Sequence, residues 1–420
     1  MSDYSVSVVG AGLAGLETAR QLAARGEDVA VFESASTVGG RVHTDQHEGY
    51  TLDRGFQVLF TAYPEAQRAL DFEALDLRRF PPGAVICRPN HRSVVADPLR
   101  DPRKGIETAL SSDLTLGDKI RILQLRQALK GKPREEIYAG SDETIASLLD
   151  RLGFSEQFVD SFARPFYGGI TLDRTLGTSA RVFQFTFRML TEGAAAVPAE
   201  GMQAIPRQLA DRARDHGATI ETDAPVDSIE GTGPVTLSVD GETVTSDSVV
   251  VAAGPRGSRE LTGVEAIPTE GRGVFTQYFR LPRGNPIGDQ PRILLNAETG
   301  EPNEIVNLSA VAPSYAPEDE ILLSASTPGE PAASEAALAD RTRTALQSWY
   351  PAASFEGLEL LDSVQVEFAQ FAQPPGIHDS LPSVTAPDGQ VFLAGDFTED
   401  SSINGALRSG RLAAKAISEN

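Results

Sequence analysis

The chain has 420 residues, of which 40% are hydrophobic, and it carries 59 acidic against 37 basic side chains for a net charge of -22. This length allows two or three structural units with a sizeable core, and the excess of carboxylates argues against nucleic acid or anionic lipid as partners. The single cysteine, Cys87, excludes an intramolecular disulfide, and the sequence contains no run of 18 apolar residues that predicts a membrane span.

The kinds of charged residue also indicate the salt concentration in which the protein works. Only five of the 37 basic residues are lysine, and the acidic residues are spread along the chain. Such a surface is typical of proteins from salt-rich, halophilic cytoplasms, where salt screens the self-repulsion. An ordinary acidic cytosolic protein is the alternative. We expect a cytoplasmic location, since no basic, signal-like region opens the chain.

The first predicted elements form a strand, a turn, a helix and a second strand. Residues 5–9 read as a buried parallel strand, and residues 10–15 follow with glycines at 10, 12 and 15. A helical pattern then leads to a second strand at 29–32, which ends at Glu33. This order is the context that a dinucleotide-binding fingerprint requires.

Each position of this fingerprint has a chemical reason. Gly10 makes the tight turn, Gly12 lets a pyrophosphate approach the backbone, and Gly15 lets helix and strand pack closely. The free N–H groups of the first helical turn, at Leu13 and Ala14, then face the phosphates. Glu33 would accept hydrogen bonds from a ribose. The alternative is a tight strand–helix turn without a ligand.

A second glycine motif, Gly39-Gly40-Arg41 with Thr44, follows the second strand. Two glycines bring the backbone close to a ligand, and Arg41 offers a fork of donors for phosphate oxygens. In this position the motif resembles the GG motif of FAD-dependent amine oxidases, carotenoid (phytoene) desaturases and protoporphyrinogen oxidases.

The middle of the chain predicts two insertions. The first reads as helical, with helices at 118–130 and at 142–152, the second of these opening with a capping acid. The second insertion alternates at 273–281 and 305–311, which predicts antiparallel strands. In the family that the chain resembles, such a sheet forms the floor of the substrate cavity.

Aromatic side chains are concentrated between residues 154 and 187, where Phe166-Tyr167-Gly168-Gly169 is the segment of greatest interest. Two adjacent glycines permit close approach of a ligand, so Phe166 and Tyr167 are candidates for the wall of an apolar cavity. Phe368 and Phe371, shortly before the C-terminal motif, are further candidates. Core packing is the alternative for each of them.

The C-terminal end carries a third motif. Residues 391–396 read as a strand ending in Gly395-Asp396, and a predicted helix follows Ser401-Ser402-Ile403-Asn404. This resembles the C-terminal FAD motif of the same superfamily, which assigns Asp396 to the ribityl and phosphate region. Ser401, Ser402 or Asn404 is suited to cap the helix.

The resemblance covers essentially the whole chain and implies an α/β fold. A discontinuous Rossmann-like FAD-binding domain (1–75, 196–262 and 386–420) would carry an inserted α+β substrate domain (76–195 and 263–385). FAD is expected to be non-covalent, and no metal site is expected. The expected cofactor-binding residues are Gly10, Gly12, Leu13, Ala14, Gly15, Glu33, Gly39, Gly40, Arg41, Val226, Gly395, Asp396, Ile403, Asn404 and Ala406.

The resemblance also implies an oxidoreductase that transfers hydride to flavin N5. None of the lysines lies between residues 133 and 414, so the lysine that amine oxidases use near the flavin has no counterpart. Gln373-Pro374-Pro375-Gly376 is closer to the desaturase branch. We therefore expect dehydrogenation of an apolar isoprenoid or polyene, with an amine oxidase, a non-redox isomerase and a non-catalytic flavin-binding module as alternatives. Oxygen or a quinone would accept the electrons, and contact with a membrane surface is left open.

Overall fold

The structure is a computed structural model that describes residues 2–97, 100–101 and 113–419. The parts of the predicted segment 76–195 at 98–99 and 102–112 lie outside the described residues. No helix of the described residues is long and apolar enough to cross a membrane.

The strands and helices are numbered along the chain. The strands are β1 (Tyr4–Val9), β2 (Val29–Phe32), β3 (Thr44–His47), β4 (Tyr50–Asp53), β5 (Leu59–Phe60), β6 (Leu77–Arg79), β7 (Ala84–Arg88), β8 (His91–Val95), β9 (Ala195–Pro198), β10 (Thr219–Glu221), β11 (Val226–Glu230), β12 (Val235–Val239), β13 (Glu242–Val251), β14 (Gly271–Pro282), β15 (Ile293–Asn296), β16 (Glu304–Asn307), β17 (Glu320–Pro328), β18 (Glu359–Phe371) and β19 (Val391–Leu393). The α-helices are α1 (Leu13–Ala23), α2 (Pro64–Ala69), α3 (Leu116–Leu129), α4 (Arg134–Tyr138), α5 (Ile145–Arg151), α6 (Glu156–Phe158), α7 (Arg164–Thr171), α8 (Ala180–Glu192), α9 (Ala204–Asp215), α10 (Gly254–Thr262), α11 (Leu308–Val311), α12 (Glu335–Trp349) and α13 (Ile403–Ser418).

The first sheet is built from both ends of the chain. Its order is β10-β2-β1-β13-β12-β11, with β19 beside β13. The strands β10, β2, β1, β13 and β19 run parallel, so the carboxyl ends of β1, β2 and β19 meet at one edge. Ligands of open α/β sheets bind at such an edge.

Helix packing holds the two termini together. Gly410 on α13 lies so close to α1 that a Cβ added there would be 2.3 Å from the Ala14 carbonyl oxygen. Thr18 of α1 donates to the Gly410 carbonyl at 3.1 Å. Leu16 and Leu22 of α1 are fully buried, and each contributes about 2 kcal/mol of hydrophobic free energy. The turns after β1 and β19 are thereby brought into one site.

The second sheet has the order β18-β14-β17-β16-β15-β7-β8. Most of its pairs are antiparallel, and its strands come from residues 84–95 and 271–371. The α/β fold with an inserted α+β part is therefore confirmed. The exact domain boundaries stay a prediction, although each large sheet draws its strands only from the segments assigned to one domain.

Three local expectations were wrong. The first insertion is not wholly helical, because β7 and β8 join the second sheet before its helices begin. The predicted strand at 305–311 ends at Asn307, whose side chain accepts a hydrogen bond from the Ala310 N–H and caps α11. Asp142 does not cap α5: Thr144 does so, accepting from the Ser147 N–H at 3.0 Å, while Asp142 accepts from the Ser179 hydroxyl.

Candidate active site

A cavity of about 880 Å³ is lined by residues from both ends and from the middle of the chain. Its volume is in the range of small-molecule and cofactor sites. One part is lined by the turns after β1, β2 and β19, and another by the second sheet and by α7 and α8. We call the first part the nucleotide end and the second the substrate chamber.

The first turn of the chain lies at the nucleotide end. Gly12 is the N-terminal residue that precedes α1, and a Cβ added there would meet nothing within 4 Å. A Cβ at Gly10 would be 2.7 Å from the Ala252 carbonyl oxygen, and one at Gly15 would be 2.0 Å from the Gly10 carbonyl oxygen. Gly12 thus leaves open space in the cavity, whereas Gly10 and Gly15 allow the backbone to pack.

The second glycine motif packs directly against this turn. The Gly39 N–H donates to the Ala11 carbonyl at 2.9 Å, and a Cβ at Gly40 would be 3.5 Å from the Gly12 Cα. Gly12 and Gly39 form a β-bridge. The two motifs therefore form a single backbone cradle at the nucleotide end.

Glu33 is fixed at the end of β2 beside this cradle. Its carboxylate accepts one hydrogen bond from the Ala11 N–H at 2.7 Å and another from the Ala35 N–H at 2.9 Å. The side chain is buried yet lines the cavity. These bonds hold the carboxylate in one orientation, as the recognition of a ribose hydroxyl requires.

Arg41 and Asp396, predicted from motifs at opposite ends of the chain, pair with each other. The guanidinium donates to both carboxylate oxygens, at 2.9 and 2.6 Å, and also to the Ala369 carbonyl at 3.1 Å. The Ser401 hydroxyl donates to the same carboxylate at 2.9 Å. Both charged groups line the cavity, so a cofactor phosphate or ribityl hydroxyl would meet an oriented ion pair.

Helix α13 points its N-terminus at the cavity. Ser402 is its cap and accepts from the Gly405 N–H at 2.9 Å, and Ile403 and Ala406 line the cavity. Asn404 is turned away: its side chain accepts a hydrogen bond from the Glu65 N–H at 3.1 Å. Asn404 does not cap the helix and does not line the cavity, so its expected part in cofactor binding stays a prediction.

Most of the predicted cofactor residues share this one cavity. Those that line it are Gly10, Gly12, Leu13, Ala14, Glu33, Gly39, Gly40, Arg41, Val226, Gly395, Asp396, Ile403 and Ala406. Gly15 and Asn404 lie behind its wall. The roles of these residues in binding stay predictions, while their convergence is a feature of the fold.

The substrate chamber has a mainly apolar wall. Its apolar and aromatic side chains are Phe56, Val58, Phe60, Tyr63, Tyr138, Phe166, Ile170, Leu172, Val182, Phe185, Leu190, Val274, Ile293, Leu295, Val366 and Phe368. Phe166 and Phe368 lie in the wall as expected. Tyr167 instead packs edge-on against Phe183 at 4.6 Å in the core, and Phe371 is buried in the core next to the first sheet.

A charged cluster at one side of the cavity was not predicted. Arg134 donates to Asp400 at 2.6 and 3.0 Å and stacks 4.2 Å over the ring of Tyr138. Asp400 and Tyr138 line the cavity. Burial raises the pKa of the Tyr138 hydroxyl well above its ordinary value, so this hydroxyl stays protonated. Only tertiary structure joins Arg134 to Asp400, which are 266 positions apart.

The substrate chamber also contains one buried carboxyl group that was missed. Glu304, the first residue of β16, is 8% exposed and lines the cavity together with Ser326. Burial raises the pKa of Glu304 to about 7, against the lowering effect of hydrogen bonds from Asn303 and Ser326. The available sequence signal was a charged residue at the start of the apolar run Ile305-Val306.

Within the part of the chain that the structure describes, no group of three or more His, Cys, Asp and Glu side chains could hold an ion. The hydrogen-bond donors at the nucleotide end instead suit a phosphorylated organic cofactor.

Residues 13–418 match the family model described as flavin containing amine oxidoreductase. This chain belongs to that family. Its membership confirms the resemblance to the amine oxidase, carotenoid desaturase and protoporphyrinogen oxidase superfamily, and makes the chain a flavin-dependent oxidoreductase.

This chain is similar in sequence or in structure to several known flavin-dependent enzymes. Zeta-carotene desaturase from Synechocystis is 24% identical, with 99% of this chain and 97% of the relative covered. Protoporphyrinogen oxidase 2 from Arabidopsis thaliana is 32% identical over 172 residues, which are 40% of this chain and 33% of the relative. A putrescine oxidase structure matches with a TM-score of 0.73 at 17% identity, covering 99% of each chain, which shows the shared fold.

Proposed function

We propose that the chain binds FAD without a covalent bond and dehydrogenates an apolar isoprenoid or polyene. The open space at Gly12, the fixed carboxylate of Glu33 and the Arg41–Asp396 pair suit the pyrophosphate, ribose and ribityl groups of FAD. Cys87, the single cysteine, is buried in the core of the second sheet and does not line the cavity. A thiol link to the flavin is therefore not part of the proposal.

When bound, FAD would supply the chemistry of accepting a hydride from a C–H bond. The protein would bind the substrate in the apolar chamber and keep water from the reacting carbons. The N-terminus of α13, capped by Ser402, supplies a positive dipole end that favours negative charge nearby. The protein's part is thus orientation, exclusion of water and electrostatic support.

The observation that carries the choice of substrate is the apolar wall of the chamber. The described residues that line the cavity include no lysine. The role that amine oxidases give to a lysine near the flavin therefore has no lysine to fill it in this cavity. A polyene buries its hydrocarbon surface against such a wall at about 25 cal/mol per Å². The full-length likeness to zeta-carotene desaturase supports the same choice.

The experiment is an anaerobic visible spectrum of the purified protein in high salt, before and after adding phytoene, ζ-carotene or a panel of amines. We expect oxidised-flavin bands that the isoprenoids bleach and the amines do not. Bleaching by amines alone would favour the amine oxidase. Conversion of an isoprenoid to an isomer without net bleaching would favour the isomerase, and bound flavin with no reaction would favour a binding module.

We propose further that the reduced enzyme passes its electrons to oxygen or a quinone, and that a cytoplasmic enzyme of this kind meets its substrate at a membrane surface. Leu116, Ile120 and Leu123 of α3 are 74, 48 and 49% exposed and occupy one face of the helix. Residues 115–132 contain five basic residues and one acidic residue, in a chain of net charge -22. An apolar helix face with basic flanks suits contact with lipid headgroups.

A further inference from the structure

Glu304 is an ionisable group in an otherwise uncharged part of the cavity wall. Of the second-sheet side chains that line the cavity in the described residues, it is the only one that ionises. Its lining neighbours from β15 are Ile293 and Leu295, and Leu295 is its cross-strand partner. A buried carboxyl group among aliphatic side chains is costly to retain, which makes it a candidate for a functional role.

Hydrogen bonds place this carboxyl group at the end of a polar row across the sheet. Glu304 lies opposite Ser326, and Ser326 lies opposite Thr276, so the three side chains share one face. The hydroxyl groups of Ser326 and Thr276 are 3.3 Å apart, and Ser326 also hydrogen-bonds to the Glu304 side chain. The row orients the carboxyl group within the floor of the chamber.

A second set of contacts holds the carboxyl group from the side of α7. The Asn303 amide donates to Glu304 and to the Pro165 carbonyl, and it accepts from the Arg174 guanidinium at 2.8 Å. A Cβ at Gly169 would be 3.2 Å from the Glu304 carboxylate, so glycine gives α7 room to pass. Glu304 is thus held in place by groups on three sides.

We propose that Glu304 accepts the proton that leaves the substrate during dehydrogenation. This inference rests on the proposed function, and it names the residue that would serve as base. It also implies that the substrate lies with the carbon that loses the proton beside β16 and the floor of the chamber.

The step balances in atoms and electrons. One carbon of the substrate loses a hydride, which oxidised flavin accepts, and the neighbouring carbon loses a proton to the Glu304 carboxylate. The electron pair of the second C–H bond becomes the π bond of the new C=C double bond. The protonated carboxyl group then releases its proton to water after the product has left.

The environment of Glu304 suits this task. Burial raises its pKa to about 7, which gives a stronger base than an exposed carboxylate while leaving a large ionised fraction near neutral pH. Arg174 is the charged group that acts on it, and Arg164 donates to the Arg174 carbonyl at 2.9 Å behind it. The cross-strand neighbours Leu295 and Ser326 carry no charge. The pH dependence of the bleaching rate should therefore follow the ionisation of Glu304 itself.

The test compares the wild type with Glu304→Gln, which keeps the shape and most of the hydrogen bonds. With ζ-carotene or phytoene under anaerobic conditions, flavin bleaching in the wild type should speed up as pH rises through about 7, since the carboxyl group loses its proton. In the variant we expect bleaching to be about 100-fold slower or more, and flat over this range. Infrared difference spectra should show a carboxyl band that titrates near this pH in the wild type and is lost in the variant.

Glu298→Gln is the matched control, because Glu298 lies in the turn between β15 and β16 with an exposed side chain. It should keep the rate, the pH profile and the infrared band. If Glu304→Gln bleaches as fast as the wild type, or if no carboxyl band depends on Glu304, the inference is overturned while the proposed function stands. If neither isoprenoid bleaches the wild type, the proposed function itself fails and the inference with it.

Discussion

Single residues in the first turn have distinct physical roles. Gly10 and Gly15 remove side chains that would collide with backbone at 2.7 and 2.0 Å, so they are needed for the fold whether or not a cofactor is present. Gly12 has an extended backbone and faces open cavity space, so nothing within the protein requires a glycine there. A larger side chain at position 12 would therefore fit the protein itself and would occupy space in the cavity.

This difference makes Gly12→Val a test of the cofactor site. The variant should fold like the wild type, with an unchanged circular dichroism spectrum. Its affinity for added FAD should fall about 10- to 100-fold, because the new side chain fills the space where the pyrophosphate approaches the backbone. Flavin fluorescence quenching on titration with FAD measures this.

The control for Gly12→Val is Ala24→Val, an exposed position at the other end of α1. Its FAD affinity should equal that of the wild type. Equal affinity in all three proteins would remove Gly12 from the cofactor site.

A further residue, Asp53, ties the two parts of the molecule together. Its buried carboxylate accepts hydrogen bonds from Thr44 at 2.5 Å, from the Met202 N–H at 2.8 Å and from Tyr315 at 3.1 Å, while Tyr278 donates to its carbonyl. Burial raises the pKa of Asp53 to about 6. The contacts of this one residue, made through its side chain and its backbone carbonyl, thus join β4, beside the cofactor motifs, to β14 of the second sheet.

At the scale of elements, the helices that carry motifs are fixed by packing, while α3 keeps an apolar face in contact with solvent. Helix α13 is placed by its contact with α1, so its capped N-terminus points into the cavity. In α3, Leu125 and Leu129 are buried in the core, and Leu116, Ile120 and Leu123 point outward. In the part of the chain that the structure describes, these three side chains are exposed and belong to none of the core clusters.

Replacement of Leu116, Ile120 and Leu123 by serine tests the proposed membrane contact. Each exposed leucine or isoleucine contributes about 1.5–3 kcal/mol when it enters an apolar phase, so the triple variant should lose vesicle binding at unchanged thermal stability. Co-flotation with phosphatidylcholine vesicles, with and without phosphatidylglycerol, measures binding. Wild-type protein that does not float with either kind of vesicle would contradict the proposal.

At the scale of the whole molecule, the net charge of -22 acts against the compact state. Repulsion among exposed carboxylates is screened over about 10 Å at 0.1 M salt and about 3 Å at 1 M. The halophilic origin stays a prediction, but its physical basis can be measured. Stability should depend on salt far more than in a protein of balanced charge.

We therefore expect the thermal midpoint at pH 7 to rise by several degrees between about 0.1 and 1 M KCl, because screening relieves the repulsion of the folded state. Near pH 4.7, the isoelectric point, the same addition should have little effect, since the net charge is close to zero. Differential scanning calorimetry at both pH values gives the comparison. An equal response at the two pH values would assign the effect to something other than net charge.

Local patterns were sufficient for much of the fold and of the nucleotide end. The motifs at Gly10–Gly15, Gly39–Arg41 and Gly395–Asp396 were readable because close backbone approach and fixed charge each demand particular residues at short spacing. The strands β1, β2 and β14 could be predicted because strands show continuous runs of apolar residues or an alternation of apolar and polar residues. Local patterns also indicated the family, through the order of the motifs.

Long-range packing decided what those patterns leave open. It paired Arg41 with Asp396 across 355 positions, turned Asn404 away from the cavity, and buried Tyr167 and Phe371 in the core. It also set Glu304 opposite Ser326 at the floor of the substrate chamber. Sequence alone determined which residues form the motifs typical of a flavin site, because these motifs depend on local backbone chemistry. Tertiary structure decided which of these residues share one cavity, because side-chain direction and strand register are set by packing between distant segments.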